Sequence, residues 1–253
     1  MRLNNHVAIV IGGASGIGLA IAQRVVREGA AVVVADINET RLQETEEELK
    51  ALGTKGYAAK CDMTDPWQLQ ALAKDAKETL GRVDILVCSG GASWNVPFVE
   101  MTNEEWTKMV HMHLDSAFYA SKAVAPIMIE QKYGRLIFIS SGHGVRGRAG
   151  KVHYSAAKGG VVAFARALGS ELGPYGITVN TLAPGLTVTP MVESQMSPEA
   201  LAGAAASMPT KRLGRPEDLA AAAVLLASEE GGHINCHTLA IDGGDSVADA
   251  ARG

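Results

Sequence analysis

A tyrosine and a lysine four residues apart, Tyr154 and Lys158, follow a serine at position 141. On a helix, positions i and i+4 lie on one face a single turn apart, whereas Ser141 must come from a neighbouring strand end. A tyrosine hydroxyl titrates near ~10 in isolation. A nearby ammonium favours the phenolate, and a serine hydroxyl can hold the oxygen of an alcohol or ketone. The set predicts proton transfer at a carbon-bound oxygen, although on a surface helix the same spacing would mean only an exposed tyrosine and a solvated lysine.

A glycine-rich turn near the N-terminus is the second feature that could do chemistry. Residues 7–11 are an apolar run typical of a buried parallel strand, and the turn at residues 12–18 leads into a helix over residues 19–28. Glycines at such a junction let the backbone approach a pyrophosphate, and the helix N-terminus supplies N–H groups and positive dipole. An ordinary tight turn is the alternative, but the strand before it and the helix after it favour a dinucleotide site.

An acidic residue at the end of the next strand bears on the choice of cofactor. Residues 31–35 predict a strand that ends on Asp36. A carboxylate there accepts hydrogen bonds from a ribose 2′-hydroxyl and repels a 2′-phosphate. Neither Ser15 nor Ile37 offers a compensating positive charge. We therefore expect NAD rather than NADP.

Strands and helices alternate along the whole chain. Strands are expected at residues 7–11, 31–35, 57–61, 83–88, 135–140, 177–182 and 237–241. This order predicts an α/β fold, a single-domain (1–253) Rossmann-type doubly wound parallel sheet of about seven strands flanked by helices, with its ligand site at the carboxyl ends of the strands. Helix-start patterns occur at Asp65 and Thr102, the second opening a long helix to about residue 129. Residues 186–209 have weak periodicity and are expected to form a substrate lid.

Composition excludes several classes of function. The chain has 253 residues, 47% of them hydrophobic, which is enough for one large domain with a full core. A net charge of -4 argues against a nucleic-acid partner. No apolar run approaches the ~20 residues that span a bilayer, and the first strand begins too early for a signal peptide, so we expect a cytoplasmic protein. The three cysteines have no metal-ligand spacing, so reduced thiols and no metal are expected.

Taken together, these motifs resemble the short-chain dehydrogenase/reductase family in its compact branch, over residues 7–244. The resemblance rests on Gly12, Gly16, Gly18, Asp36, Asp62, Ser141, Tyr154, Lys158, Asn180, Pro184, Gly185, Thr189, Asp242, Gly243 and Gly244. It implies hydride transfer between nicotinamide and a carbon bearing oxygen, with Tyr154 as general acid/base and Ser141 positioning the substrate oxygen. Lys158 would lower the tyrosine pKa and bind the nicotinamide ribose. Relatives of this outline usually form tetramers through two long helices, so a homotetramer is expected.

The resemblance also implies a set of cofactor contacts. These are Gly12, Ser15, Gly16, Ile17, Gly18, Asp36, Ile37, Asp62, Met63, Ser89, Gly90, Tyr154, Lys158, Pro184, Gly185, Leu186 and Thr189. Asp62 and Met63 would lie by the adenine, and the last four residues would border the nicotinamide.

Three departures from the family pattern matter. Ile11 replaces a threonine, and residues 88–91 replace Asn-Asn-Ala-Gly; both changes are expected to fall on adjacent strands and to alter cofactor affinity only modestly. His113 stands where the family has an asparagine that helps hold a water through which the lysine exchanges protons. Because imidazole titrates near neutrality, His113 could still serve that relay as a catalytic residue. Alternatively it is a packed helix residue, with the relay lost or rerouted.

The loop before Tyr154 is basic. It contains His143, Arg146, Arg148, Lys151 and His153. An anionic substrate would explain these groups, with His143 and Arg146 as substrate contacts beside Ser141 and Tyr154, and with Trp94 as a wall of the pocket. Alternatively, the basic loop is solvated or faces another subunit. Trp94 could equally be an aromatic packed under a loop.

The leading hypothesis is an NAD-dependent dehydrogenase or reductase acting on a small secondary alcohol or ketone. A 3-oxoacyl-thioester reductase is the second hypothesis, and it would more often require NADPH, against which Asp36 argues. The third is a non-catalytic dinucleotide-binding module, which would have no need of Ser141, Tyr154 and Lys158 together.

Overall fold

A computed structural model of the chain describes residues 1–247. Its strands are β1 (Val7–Ile11), β2 (Ala31–Asp36), β3 (Tyr57–Lys60), β4 (Ile85–Cys88), β5 (Gly134–Ile139), β6 (Ile177–Pro184) and β7 (Thr238–Ile241). All are parallel in one sheet of order β3-β2-β1-β4-β5-β6-β7. The order reverses between β1 and β4, which is where ligands bind in such sheets. The expected fold class is confirmed; residues 248–253 of the expected domain lie outside the described part.

Helices cover both faces of the sheet. They are α1 (Gly16–Arg27), α2 (Glu39–Ala51), α3 (Pro66–Leu80), α4 (Asn103–Val110), α5 (Ser116–Gln131), α6 (Gly142–Arg146), α7 (Val152–Leu172), α8 (Pro190–Glu193), α9 (Pro198–Ser207) and α10 (Pro216–Ala227). One core joins α1 and α10 to the sheet, and the other joins α3, α5 and α7 to its opposite face. Every residue of β1 is buried, which explains its continuous apolar sequence.

Helix ends follow the sequence signals closely. The Asp65 side chain accepts from the backbone N–H groups of Trp67 and Gln68, with a proline at the first helical position. Thr102 and Glu105 form the expected capping box of α4. Gly81 ends α3 with a φ of 84°, a conformation that favours glycine. These local signals therefore fix where the helices begin and end.

The expected long helix is interrupted. A π-helical turn, His111–Asp115, separates α4 from α5. The Ser116 hydroxyl donates to the carbonyl oxygen of Met112 at 2.7 Å, filling an acceptor that the irregular turn exposes. Within the turn His113 is buried, whereas His111 is half-exposed and lies 3.0 Å from the Asp115 carboxylate. The two histidines thus face different ways, as their spacing requires.

Two short segments are more ordered than the sequence analysis expected. Residues 186–209 contain α8 and α9, each begun by a proline behind a capping residue, Thr189 or Ser197. Residues 142–146 form α6, which Ser141 caps. Each of these helix starts is marked only by one capping residue, followed in α8 and α9 by a proline, and the helices are too short to show a clear apolar periodicity. None of the helices in residues 1–247 combines the length and apolar character needed to cross a membrane.

Candidate active site

The structure brings Ser141, Tyr154 and Lys158 together at the carboxyl end of β5. Ser141 follows that strand directly, and the other two side chains stand one turn apart on α7. Lys158 is buried, and its Nζ donates to the carbonyl oxygen of Ile139 at 2.7 Å and lies 5.9 Å from the centre of the Tyr154 ring. The Ser140 hydroxyl donates to the carbonyl oxygen of Lys158 at 3.0 Å. These two hydrogen bonds join the end of β5 to α7 at the site.

Burial sets the proton affinities of this set. It raises the pKa of Tyr154, and the hydrogen bond with Ser141 opposes that rise. Burial also lowers the pKa of Lys158 to about 8. The net direction is upward, so a lowering of the tyrosine pKa by Lys158 stays a prediction; the ammonium itself is hydrogen-bonded to Ile139. Lys158 remains the cation that could stabilise a Tyr154 phenolate.

His113 meets the edge of the Tyr154 ring, with ring centres 5.3 Å apart. Its Nε2 lies 2.9 Å from the carbonyl oxygen of Ala92, so Nε2 carries the proton and Nδ1 is an acceptor. Nδ1 is buried and has no hydrogen-bond partner among the described residues. Burial, followed by the charge of Lys158, lowers the pKa of His113 to about 3. The imidazole is therefore neutral near pH 7, so a relay through His113 would use its lone pair and not a change in its own charge.

A small cavity of about 10 Å³ adjoins these side chains. Cys88, His113, Ser116 and Lys158 are among the residues that line it. A cavity of roughly this size holds one water if enough polar partners surround it. Two of the lining residues carry polar groups that such a water could contact: Lys158, through its ammonium, and His113, whose Nδ1 has no hydrogen-bond partner among the described residues.

The glycine turn has the backbone geometry of a pyrophosphate cradle. Gly12 has a φ of +70°, and a Cβ on it would lie 2.3 Å from the Cα of Gly90. A Cβ on Gly18 would lie 2.1 Å from the carbonyl oxygen of Gly12. The Ser15 side chain does not cap α1, and the first turn of that helix contains no acidic residue. Open N–H groups and small residues at a helix N-terminus fit an anionic diphosphate.

Asp36 lies at the carboxyl end of β2, beside this turn. Its carboxylate accepts from the backbone N–H of Ala14 at 3.3 Å and from that of Asn38 at 3.1 Å. Ile37, which follows, is 65% exposed. The carboxylate is thus fixed at the edge where a ribose hydroxyl would lie, and the exposed apolar side chain is next to it.

The other expected cofactor residues line the same edge of the sheet. Met63 and Gly90 are neighbours across it, as are Gly16 and Thr189, and Gly185 and Asp242, since a Cβ on each glycine would approach that partner. These contacts join the β3 end to the β4 end, the glycine turn to the segment after β6, and the β6 end to the β7 end. The remaining expected residues at these strand ends and at the α1 N-terminus are Ser15, Ile17, Asp62, Ser89, Pro184 and Leu186. Asp62 is partly engaged within its own loop, where its carboxylate accepts from the Thr64 hydroxyl at 2.7 Å.

The first two sequence departures do fall on adjacent strands. Ile11 of β1 pairs in register with Cys88 of β4. Gly91 has a φ of 141°, and a Cβ on it would lie 2.1 Å from the His113 ring. The altered turn at residues 88–91 therefore packs against His113, the third departure from the family pattern.

The structure places only some of the expected substrate contacts beside Tyr154. The His143 ring lies 6.2 Å from the Tyr154 ring, and burial together with nearby cations lowers its pKa to about 4. Trp94 is half-buried and meets the His153 ring at 5.2 Å. Arg146 is committed elsewhere: its guanidinium pairs with the Asp245 carboxylate at 2.7 Å and donates to the Asp245 carbonyl oxygen.

Sequence reasoning named two neighbouring residues only as part of the basic loop. His153 is fully buried, and neither ring nitrogen has a hydrogen-bond partner among the described residues. Lys151 donates to the Ser93 hydroxyl at 2.8 Å, and its Nζ lies 5.7 Å from the centre of the Tyr154 ring. Lys151 immediately precedes α7, and its position in the basic loop just before Tyr154 was the available signal.

Comparison with known proteins agrees with the geometry. Residues 12–246 match the adh_short_C2 family model, described as enoyl-(acyl carrier protein) reductase. The 3-oxoacyl-acyl-carrier-protein reductase FabG of Salmonella typhimurium is 35% identical over 96% of this chain and 98% of its own. Nodulation protein G of Azospirillum brasilense is 37% identical, also over 96% of this chain and 98% of its own. The crystal structure of levodione reductase superposes with a TM-score of 0.94 at 31% identity, covering 98% of this chain and 100% of that one.

Proposed function

Since the chain belongs to the short-chain dehydrogenase/reductase family, whose members are oxidoreductases acting on CH–OH and keto groups, we propose that it transfers hydride between NAD(H) and a small secondary alcohol or ketone. The observation that supports this most is the meeting of Ser141, Tyr154 and Lys158 at the strand edge that also holds the glycine turn.

The proposed mechanism assigns each of these side chains one task. NAD, when bound, supplies the hydride acceptor at the nicotinamide ring. The Ser141 hydroxyl holds the substrate oxygen. The Tyr154 phenolate takes the proton of the alcohol during oxidation, and the Tyr154 hydroxyl returns it to the ketone oxygen during reduction. Lys158 stabilises the phenolate by its charge and would hold the nicotinamide ribose. Because burial raises the tyrosine pKa, this charge is needed for Tyr154 to act as a base near neutrality.

His113 has a narrower part in the proposal. As a neutral imidazole with its Nδ1 lone pair free, it acts as a hydrogen-bond acceptor for a water in the cavity beside Lys158. Such a water would pass the proton between Lys158 and solvent. The histidine thereby positions the relay without gaining or losing a charge itself.

NAD is proposed over NADP because of Asp36. Its carboxylate accepts hydrogen bonds from two backbone N–H groups. Neither Ser15 in the glycine turn nor Ile37 after Asp36 supplies a positive charge. A 2′-phosphate would meet this negative charge unpaired, whereas a 2′-hydroxyl could donate to it.

Two alternatives have specific support. Reduction of a 3-oxoacyl thioester is favoured by the names of the FabG relatives, and the description of the family model likewise names an acyl-thioester substrate, although for reduction of a C=C bond. A non-catalytic dinucleotide-binding module would explain the departures at His113 and at residues 88–91, but not the retention of the Ser141, Tyr154 and Lys158 set.

The proposal extends to assembly and access. Residues 186–209, with α8 and α9, are proposed as the lid over the substrate, in a cytoplasmic homotetramer. Of the apolar residues on the long helices, Met109 and Val161 belong to the core, whereas Phe118 is 44% exposed and Trp106 is 40% exposed. Those two exposed aromatics are available to a second copy of the chain.

The test is a turnover panel on the purified protein. Secondary alcohols are offered with NAD or NADP, and ketones and a 3-oxoacyl thioester with NADH or NADPH. We expect turnover of secondary alcohols with NAD. Turnover confined to the thioester with NADPH would replace the proposal with the first alternative, and binding of the dinucleotide without any turnover would favour the second.

A further inference from the structure

Lys151 is a half-buried cation held beside the reactive tyrosine. Its Nζ lies 5.7 Å from the centre of the Tyr154 ring and donates to the Ser93 hydroxyl at 2.8 Å. None of the ion pairs within residues 1–247 includes it. An ammonium has three N–H donors, so the single bond to Ser93 leaves two for a ligand.

The other basic groups of the same loop are paired, neutral or exposed to solvent, and His153 is a neutral one because burial lowers its pKa. Arg146 is paired with Asp245, and His143 is held neutral because its pKa falls to about 4. Arg148 is exposed on the surface of the loop. Among the five basic groups that the sequence places before Tyr154, Lys151 is therefore the charged one that both reaches the tyrosine and lacks a carboxylate partner within the described residues.

The surroundings of Lys151 are costly for an uncompensated cation. Burial, followed by the charge of Arg148, lowers its pKa. A charge partly removed from water is stabilised by an opposite charge that accepts its free hydrogen bonds. The side chain is thus arranged for an anion that arrives with the substrate.

Three chain segments meet at this place. The backbone N–H of Val96 donates to the carbonyl oxygen of Gly150 at 2.9 Å, which joins the loop after β4 to the loop before α7. The Gln195 amide, between α8 and α9, donates to the carbonyl oxygen of Ser93 at 3.5 Å. A ligand on Lys151 would therefore be enclosed by the segment proposed as the lid.

We infer that Lys151, supported by Ser93, binds the carboxylate of a short hydroxy acid or keto acid whose reacting carbon lies at Tyr154. The short distance from the ammonium to the tyrosine ring requires that only a few bonds separate the carboxylate from the carbon that exchanges hydride. This inference rests on the proposed function, and it narrows the substrate class to small organic anions.

The experiment compares acids with their uncharged esters. Wild type, Lys151→Met, Lys151→Arg and Lys108→Met are assayed with NAD on 2-hydroxybutyrate, 3-hydroxybutyrate and 4-hydroxypentanoate, and on the three methyl esters. Lys108 is the matched control, because it is an exposed lysine whose Nζ lies 5.8 Å from the Trp94 ring in the same region. In parallel, calorimetry measures binding of malonate and succinate to the NADH complex, which requires no turnover.

For at least one acid, we expect Lys151→Met to lower kcat/KM roughly 10- to 100-fold, mainly through KM, and to change ester turnover little. Lys151→Arg should restore much of the loss, and Lys108→Met should behave as wild type. The dicarboxylates should bind wild type and not Lys151→Met. Equal losses for acids and esters, or a wild type that prefers the esters, would overturn the inference.

Failure of the inference and failure of the proposed function give different results. Efficient turnover of esters with no dependence on Lys151 leaves the proposed function standing and removes the carboxylate site. Dicarboxylate binding that depends on Lys151, in a protein that oxidises none of the six compounds, supports the site and counts against the proposed function.

Discussion

The cofactor edge and the substrate side of this site are built in different ways. Around the glycine turn, backbone atoms and small residues determine the geometry, as in the approach of Gly12 to Gly90. Around Tyr154, side chains from separate loops determine it, as in the bond between Lys151 and Ser93. The first kind of site tolerates changes in side-chain chemistry but not added volume. The second should respond to the chemical groups of single side chains.

Replacing the reactive hydroxyl is the sharpest test of this difference. Tyr154→Phe removes the proposed proton carrier and keeps the ring that packs against His113 and His143. We expect kcat to fall by roughly 10²–10⁴-fold, because general acid–base catalysis contributes about that much. NADH binding, measured by fluorescence titration, should stay close to wild type. Activity within threefold of wild type would mean that Tyr154 is not the proton carrier.

A methyl group at Gly12 tests the cofactor edge. Gly12→Ala forces an L residue to φ +70° and places its Cβ 2.3 Å from the Cα of Gly90. We expect a loss of roughly 2–4 kcal/mol in the free energy of unfolding, together with weakened NADH binding. Gly53→Ala is the control, since Gly53 also has a positive φ, +89°, but nothing lies within 4 Å of its Cβ position. It should cost only about 1–2 kcal/mol and leave NADH binding unchanged. Similar effects of the two changes on binding would contradict the close-approach argument.

Lys158 connects catalysis to stability. Below pH 8 the folded and unfolded chains both carry the proton, and the folded chain bears the cost of burying it. Between about pH 8 and the ordinary value of 10.5, the folded chain loses the proton first, so the contribution of Lys158 to wild-type stability should rise with pH. Lys158→Met should abolish that rise and be roughly 1–2 kcal/mol more stable at pH 7, while losing activity. Chemical denaturation of wild type and variant at several pH values measures this contribution as the difference between the two curves, and identical pH dependence in both would rule out Lys158 as the group responsible.

The smallest expected effect concerns His113. Because its pKa is about 3, it should add no ionisation to the activity profile across roughly pH 5 to 8, where an ordinary histidine titrates. His113→Asn supplies another acceptor and should keep kcat within about threefold, whereas His113→Leu supplies none and should lower it more. A step in the wild-type profile that disappears in His113→Asn would show that the histidine itself titrates.

The features that the sequence predicted are those that depend on residues close together in the chain. Gly12, Asp36 and the strand before each are recognisable because they are close in sequence and follow a short apolar run. The seven strands and the helix starts at Asp65 and Thr102 were predicted for the same reason, whereas the short capped helices α6, α8 and α9 were not. The neutrality of His113 and the engagement of Arg146 by Asp245 depend on residues distant in the chain. No local pattern carries that information.

The central claim is that the glycine turn and Asp36 form an NAD site serving Tyr154. The most direct measurement is a titration of the purified protein with NADH and with NADPH, repeated on Asp36→Ala, with Glu39→Ala as control because Glu39 is an exposed acid nearby that pairs with Lys60. The account predicts that wild type binds NADH at least roughly tenfold more tightly than NADPH. Asp36→Ala should lose that preference, and Glu39→Ala should retain it. A wild type that binds NADPH as tightly as NADH would contradict the account.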